Sequence, residues 1–200
     1  MTTAPKTLMQ IAGAPTQPGP LAASALILID HQMEYLTGRL PLAGFAEAVA
    51  EAGTLLALAR ANGVPVFHVV HHGKPGSALF DPSGPGVAIV PALAPAEGET
   101  VLVKSLPNGF GGTELYKLLQ ETGRTHLIVA GFATHMCLST TVRAALDLGY
   151  PTTVVAGATA TRDLPDPLGG VIPAETLRRA ELAALADRFA VVVADSSAWK

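Results

Sequence analysis

Three polar residues of the sequence each follow a short apolar run: Asp30 after ALILI, Lys104 after TVLV, and Cys137 after LIVAGFATHM. A thiol can act as a nucleophile when a neighbouring base takes its proton, and a carboxylate can serve as that base. Taken singly, each residue has a plainer explanation: a solvated acid, an exposed lysine, or a small buried hydrophobe. Taken together, they predict a cysteine nucleophile, Cys137, with Asp30 as its base and Lys104 as the cation that holds both.

Cys137 is the only cysteine of the 200 residues, which excludes a disulfide within the chain and a zinc site of several cysteines. The pattern places it near the start of a helix that runs to Leu148. Backbone N–H groups and the helix dipole at such a position lower the pKa of a thiol, and the same N–H groups could hold an oxyanion. We therefore expect a thiol that alkylates faster than an ordinary one at about pH 6–7.

Apolar runs and helical segments alternate along the chain and must position these residues. Strands are predicted over 24–30, 65–70, 100–104, 126–131, 152–156 and 190–194, and helices over 43–61, 113–123, 137–148 and 173–188. Strands that are apolar throughout are buried on both faces, which is typical of a parallel sheet between two helix layers. The predicted fold is therefore α/β, a three-layer α/β/α sandwich around a six-stranded parallel sheet, Rossmann-like. Ligands of such sheets bind beyond the carboxyl ends of the strands, where the three polar residues lie.

The domain organisation is simple. Residues 1–20, with four prolines and no apolar periodicity, are predicted to form an extended arm, and residues 21–200 a single domain. The proline- and glycine-rich stretch 71–99 is a long loop, and loops of that length in compact domains are usually functional. We expect it to shape the choice of substrate.

Composition excludes several classes of protein. Hydrophobic residues make up 49% and charged residues 14%, against about a quarter in typical domains, which argues against disorder. The net charge of −3 gives no basic field for nucleic acid or an anionic membrane. The start of the chain lacks the apolar region of a secretory signal, so a cytoplasmic protein is expected. A surface with so little charge also predicts a homo-oligomer, either a dimer or a tetramer.

The motifs around the three residues match a family. The run Gly131-Phe-Ala-Thr-His-Met-Cys137-Leu-Ser-Thr-Thr141 resembles the Gly-x-x-Thr-x-x-Cys-x-x-x-Thr segment of the isochorismatase-like cysteine hydrolases. Asp30-His-Gln32 resembles their Asp-x-Gln after strand one, and Lys104 with the aromatic Phe110 resembles their strand-three lysine and the loop that follows it. The motifs occur in the family's order, and the resemblance extends from about Ala22 to Trp199.

This resemblance implies an Asp30–Lys104–Cys137 triad on the isochorismatase-like hydrolase fold. It also implies a cis peptide before Ala133, with the backbone N–H groups of Ala133 and Cys137 as oxyanion hole. The Asp-x-His metal site of nicotinamidase-like members has no counterpart in residues 31–50, so neither a metal nor a cofactor is expected. Isochorismatases that cleave vinyl ethers lack the cysteine. Its presence here points to hydrolysis of a C–N bond in a small amide, lactam or carbamoyl compound through a thioester.

Substrate contacts and rival functions stay open at this stage. The residues expected to contact the substrate are Gln32, Tyr35, His72, Phe110, Phe132 and His135, with core packing as the alternative for the aromatic ones. The low charge among them suggests a neutral or weakly polar substrate. A Cys–His dyad that uses His135 or His72 is a rival to the triad. Two other functions remain: a vinyl ether hydrolase with Asp30 as general acid, and a non-catalytic binding or redox-sensing protein.

Overall fold

The structure, a computed structural model that describes residues 4–200, is a three-layer α/β/α sandwich. Its strands are β1 (Ser24–Ile29), β2 (Val66–His71), β3 (Thr100–Lys104), β4 (His126–Phe132), β5 (Thr152–Ala160), β6 (Leu164–Pro165), β7 (Val171–Ile172) and β8 (Val191–Val193). Its α-helices are α1 (Leu8–Ile11), α2 (Phe45–Ala61), α3 (Leu115–Glu121), α4 (Ser139–Asp147) and α5 (Ala174–Arg188). Along residues 4–200, no helix has the length and apolar character that crossing a membrane requires.

Six strands form one parallel sheet in the order β3-β2-β1-β4-β5-β8, which confirms the predicted fold class. All six predicted strands and four predicted helices are present, with most of their ends shifted by a few residues. The antiparallel pair β6–β7 was not predicted, because each strand has only two residues and is too short to show a periodic pattern. β5 is longer than predicted, since its last four residues are not an apolar run.

Two apolar cores lie on the opposite faces of the sheet. Leu26 and Leu28 of β1 face α2, whereas Ala25, Ile27 and Ile29 face the layer of α3, α4 and α5. Every residue of β1 is buried, as the continuous apolar run predicted. The central strands therefore carry no solvent-facing side, and polar groups that need water must lie beyond the strand ends.

The N-terminal arm differs from the extended segment that was predicted. It contains the single turn α1, which Thr7 caps through its hydroxyl and which Gln10 caps in return. The backbone N–H of Leu8 donates to Asp187 of α5 at 2.8 Å, and further along the arm Gly19 accepts from the indole N–H of Trp199 at 2.7 Å. A short helix of this kind needs packing partners, because one turn alone is unstable in water.

The sheet reverses its winding direction between β1 and β4. The connections that follow β1 and β4 run to opposite faces of the sheet, which opens a crevice at the carboxyl ends of these two strands. Gly131 makes the close approach of the two strands possible, because a Cβ there would overlap the carbonyl oxygen of Ile29. Asp30 follows β1 and the segment of Cys137 follows β4, so the topology brings both to this crevice.

His31, directly after Asp30, carries a buried imidazole that forms no hydrogen bond with any described residue. It is 2% exposed, packs on Phe132 with ring centroids 4.6 Å apart, and neither ring nitrogen has a partner within residues 4–200. Burial lowers the pKa of His31 to about 3, and the charge of His68 adds to the effect. Protonation at this site is therefore opposed by the folded protein but not by the unfolded chain.

Replacing His31 by leucine should make the protein less sensitive to acid. The folded pKa is depressed, so the unfolded chain binds the proton first as the pH falls below about 6.5, and the wild type loses stability from there toward pH 3. Urea unfolding at pH 7 and pH 5 should show a smaller loss for His31→Leu, by about 1–2 kcal/mol. His126→Leu, at a partly exposed site, is the control. An equal loss in wild type and His31→Leu would contradict this account.

Candidate active site

The structure brings the three predicted residues together at the carboxyl ends of the sheet. The Nζ of Lys104 donates to Oδ2 of Asp30 at 2.8 Å and to Sγ of Cys137 at 3.2 Å. The side chains of Lys104 and Asp30 are fully buried, and Cys137 is 6% exposed. The attraction between the buried ammonium and the buried carboxylate offsets the free-energy cost of removing both charges from water. Either charge buried without the other would be strongly unfavourable.

The backbone of Asp30 has an uncommon conformation that orients its carboxylate. Its φ of 53° is left-handed, a conformation that is uncommon for residues other than glycine, and it turns the chain at the end of β1. The Asp30 N–H donates to the carbonyl of Val69 at 2.8 Å, and the Asp30 carbonyl accepts from Gln32 N–H at 2.8 Å. These bonds fix the turn, and the strained backbone at the site fits a functional role.

One oxygen of the Asp30 carboxylate has no hydrogen-bond partner in the part of the chain that the structure describes. Lys104 binds Oδ2, whereas Oδ1 forms no hydrogen bond with any residue of 4–200 although it is buried. Burial raises the pKa of this carboxyl, and the Lys104 ammonium opposes the rise. A carboxylate with a free oxygen and a raised pKa is a better proton acceptor than a solvated aspartate.

Cys137 lies in a helical start, as predicted, but its thiol is not acidic. It belongs to a π-helical turn over Thr134–Leu138, which continues into α4. Burial and the charge of Asp30 raise its pKa to about 12, and Lys104 offsets only part of the rise. The direction of this shift contradicts the predicted low pKa, because the argument from the helix start neglected desolvation, and the fast alkylation that rested on that argument is no longer expected. The resting group is a thiol that needs a base.

Two threonines of the motif fix the turn that carries Cys137. Thr134 donates its hydroxyl to the carbonyl of Ala160 at 3.0 Å, which ties the turn to the end of β5. Thr141 donates to the carbonyl of Cys137 at 2.7 Å and accepts from the N–H of Gly109 at 2.9 Å. The spacing of threonine, cysteine and threonine in the sequence is thus explained by bonds that hold the nucleophile in place.

The implied cis peptide is present between Phe132 and Ala133. The carbonyl of Ala133 accepts from Met136 N–H at 2.9 Å, which closes the turn before Cys137. The turn places the backbone amides of Ala133 and Cys137 on the same short segment as the thiol. Their service as an oxyanion hole stays a prediction, since it depends on a bound substrate.

Gln32 was expected to contact the substrate, and the structure assigns it another role. Its side chain is completely buried and binds backbone alone: Nε2 donates to the carbonyls of His71 and Val87, each at 2.9 Å, and Oε1 accepts from His71 N–H at 2.8 Å. Three bonds to protein leave little capacity for a ligand. Gln32 instead fastens the end of β2 and the loop 71–99 to the site.

The aromatic residues separate into core and site. Phe132 is fully buried and packs on the rings of His31, Phe45 and Tyr35, so the core packing that was left open as the alternative describes its place in the structure. Burial and the charge of Asp30 raise the pKa of Tyr35. Phe110, partly buried, packs against the core that contains Cys137. Tyr35 and Phe110 remain candidate substrate contacts.

The two histidines of the rival dyad do not bind the thiol. His135 shares a hydrogen bond of 2.6 Å between its Nδ1 and Thr161 Oγ1, and His72 donates its backbone N–H to the carbonyl of Lys104 at 2.9 Å. Within residues 4–200, the side chain that hydrogen-bonds Sγ of Cys137 is Lys104. The geometry therefore favours the triad over a Cys–His dyad. Both histidines are half-buried and stay candidates for substrate contact.

Two residues near the site were not predicted. His71 ends β2, and its Nδ1 lies 3.3 Å from Nζ of Lys104. Arg162 follows β5. Burial and the charge of Arg162 lower the pKa of His135, and the same charge opposes the rise in the pKa of Tyr35. His71 had a signal in the sequence, since it ends an apolar run as Lys104 does. Arg162 had none, because the end of β5 was predicted four residues too early.

The part of the chain that the structure describes contains no cluster of three histidine, cysteine or carboxylate side chains suited to hold a metal ion. The ionisable groups at the site instead pair with one another, cation to carboxylate and cation to thiol. The arrangement is suited to proton transfer and nucleophilic attack by protein groups.

Comparison with known proteins agrees with this geometry. A model of the isochorismatase domain matches residues 24–196. The chain is 40% identical over 173 residues to the uncharacterized isochorismatase family protein YddQ of Bacillus subtilis (strain 168), covering 84% of this chain and 94% of that protein. The crystal structure of an isochorismatase, PP1826, from Pseudomonas putida KT2440 has 47% identity and a TM-score of 0.90, covering 95% of this chain and 97% of that one.

Two further relatives have names that state an activity. The streptothricin hydrolase of Streptomyces noursei is 35% identical over 177 residues, which cover 84% of this chain and 61% of that protein. The ureidoacrylate amidohydrolase RutB of Enterobacter sp. (strain 638) is 33% identical over 171 residues, covering 68% and 74%. With a family model that spans most of its length and these relatives, the chain belongs to the isochorismatase family of hydrolases.

Proposed function

We propose that this protein hydrolyses the C–N bond of a small amide, lactam or carbamoyl compound through a thioester on Cys137, without a cofactor. One observation carries the proposal: the ammonium of Lys104 binds both the carboxylate of Asp30 and the thiol of Cys137, while the second carboxylate oxygen has no hydrogen-bond partner among the described residues. Nucleophile, base and cation are thus assembled in one buried cluster, which is the constellation that acyl transfer requires.

The reaction can be followed proton by proton. Asp30 takes the thiol proton while Sγ of Cys137 attacks the carbonyl carbon, and the negative charge moves to the carbonyl oxygen. The amides of Ala133 and Cys137 would stabilise that oxyanion. Collapse of the intermediate breaks the C–N bond, Asp30 returns its proton to the leaving nitrogen, and a thioester remains. A water molecule that Asp30 deprotonates then releases the acid and restores the thiol.

The named relatives support the bond type. Streptothricin hydrolase and ureidoacrylate amidohydrolase are both names of hydrolases, and the second names an amide-cleaving one. Cleavage of a vinyl ether, the activity of isochorismatase itself, would give the thiol that Lys104 binds no role in the reaction. The bond between Lys104 and Cys137 at 3.2 Å therefore favours amide hydrolysis.

Arg162 supports a narrower substrate class. Its guanidinium forms no ion pair within residues 4–200, and its charge acts on both Tyr35 and His135 beside the site. The guanidinium donates to the carbonyl of Asp163 at 3.3 Å, and its remaining N–H groups suit a carboxylate, which they can bind with two hydrogen bonds. We therefore replace the expectation of a neutral substrate by an amide or ureido compound that carries a carboxylate.

A paired substrate screen tests this function. Ureido acids, simple amides and lactams would each be offered as the acid and as its neutral methyl ester, with release of ammonia, amine or acid measured. We expect cleavage with the acids preferred, and a mass increase of the acyl group on Cys137 after rapid acid quench. Cleavage of a vinyl ether without such an adduct would instead support Asp30 as general acid, and no turnover with any compound would support a binding or redox role.

The assembly and location stay predictions. Val101 and Val103 of the edge strand β3 are 46% and 51% exposed, and Leu106 beyond it is 53% exposed. Apolar side chains along an open sheet edge are what a subunit interface would cover, which supports the proposed dimer or tetramer. The cytoplasmic location rests on the sequence alone.

A further inference from the structure

The ammonium of Lys104 has three N–H groups, and the structure offers each an acceptor. These are Oδ2 of Asp30 at 2.8 Å, Sγ of Cys137 at 3.2 Å and Nδ1 of His71 at 3.3 Å. Two of the three belong to the triad that the family pattern implied. The third acceptor is an imidazole that neither the triad nor the relatives' names assign to anything.

The sheet explains why His71 occupies this position. β2 lies between β3 and β1, and His71 pairs with Lys104 in the β2–β3 register. Lys104 must therefore pass over the end of β2 to reach Asp30. At that end the backbone of His71 is clamped by Gln32, and its ring packs edge-on against Phe80 with centroids 5.0 Å apart. The imidazole is thus held beside the path of the lysine chain.

We propose that His71 is a positioning residue of this active site, a neutral imidazole that accepts from Lys104 through Nδ1 and carries its proton on Nε2. An ammonium has no lone pair, so a hydrogen bond between Nζ and Nδ1 requires the lone pair on Nδ1. The ring proton must then reside on Nε2, which no residue of 4–200 binds. Burial, with the charges of Lys104 and His72, lowers the pKa of His71 to about 4, in keeping with a neutral ring at pH 7.

This arrangement determines what Lys104 can do. With all three N–H groups directed to protein acceptors, the ammonium is left without a donor for the substrate and acts as a fixed cation between base and nucleophile. Without the third acceptor, it would have one unpaired N–H in a buried place and could rotate away from Sγ. His71 acts through Lys104, so its loss should lower the rate of chemistry and leave substrate binding nearly unchanged. The inference rests on the proposed function for that kinetic consequence alone.

Nitrogen-15 NMR of the resting protein tests the tautomer without any substrate. The Nδ1 of His71 should show the signal of an unprotonated ring nitrogen at pH 7, and Nε2 that of a protonated one, with the pair identified by its loss in His71→Asn. In Lys104→Met the preference for this tautomer should vanish. A proton on Nδ1, or a charged ring at pH 7, would overturn the proposal even if the protein proves to be an amide hydrolase.

A matched pair of variants tests the positioning role. In His71→Asn the side-chain oxygen can replace Nδ1 as acceptor, whereas His71→Leu has no acceptor. We expect kcat to fall at least about 10-fold in His71→Leu with KM within about 2-fold, and to recover most of that loss in His71→Asn. His126→Leu, at the amino end of the sheet, controls for general effects of a lost histidine. Equal losses in the leucine and asparagine variants, or a loss in KM alone, would reject the role.

Discussion

Replacing Cys137 by alanine should reduce turnover of any amide substrate by at least about 10⁴-fold, because the variant has no atom to form the thioester. The fold should survive, since the exchange removes one small sulfur from a site that α4 and β4 continue to build. Steady-state kinetics and urea unfolding of the same preparation would measure both effects. We expect the unfolding midpoint to change little while activity falls to the background of the assay.

Cys137→Ser separates the nucleophile from its surroundings. The hydroxyl can still accept from Lys104, so the hydrogen bonds of the cluster are kept while the nucleophile becomes far weaker. We expect turnover close to that of the alanine variant and no mass adduct with a substrate that labels the wild type. Retention of wild-type rates in either variant would show that Cys137 is a bystander, and it would leave Asp30 as the acid of a different reaction.

The sequence was sufficient for the location of the site because the signal was topological. Asp30, Lys104 and Cys137 each follow an apolar run, and parallel strands place their carboxyl ends on one edge of the sheet. Strand order was not needed to expect them near one another. The order β3-β2-β1 does explain why the residue at the end of β3 has a long side chain, because Lys104 must reach across β2 to contact Asp30.

The sequence was insufficient where a side chain's surroundings decide its role. Gln32 and Phe132 stand in or beside the family motifs, yet one binds backbone with its whole amide and the other packs in the core. Neither set of contacts can be predicted from spacing, because the partners come from the loop 71–99, from the segment after β1 and from α2. Motif residues of this kind hold the site in shape, and their effect on substrate is indirect.

The pKa of Cys137 is the clearest case of a physical effect that the sequence argument overlooked. At a helix start, the backbone dipoles of the first turn stabilise the thiolate and so lower the pKa of the thiol. Burial beside the charged Asp30 disfavours it by more, and the pKa rises to about 12. In the proposed mechanism, the thiolate would therefore form only when Asp30 takes the proton, so that the nucleophile and the acid for the leaving group would be created in one step.

Replacing Asp30 by asparagine should separate the acidity of the thiol from catalysis. The charge of Asp30 is among the causes that raise the pKa of Cys137, whereas Lys104 lowers it, so removing the carboxylate should lower the thiol pKa. Without the base, however, no group accepts the thiol proton during attack or returns it to the leaving nitrogen. We expect turnover to fall about 10²–10⁴-fold in the same variant whose thiol becomes more acidic.

Ultraviolet absorbance of the thiolate across pH, together with iodoacetamide alkylation rates, would measure the thiol in Asp30→Asn and in wild type. Lys104→Met is the matched control, because losing the cation should move the thiol pKa upward while it also abolishes turnover. Removing one partner of a buried ion pair costs about 3–5 kcal/mol when the other charge is left alone. In Asp30→Asn the new thiolate can replace the carboxylate as the counter-ion of Lys104, so its unfolding free energy should fall by less than that. A thiol pKa in Asp30→Asn equal to or above that of the wild type would exclude Asp30 as the charge that keeps Cys137 protonated, and with it the proton transfer on which the mechanism rests.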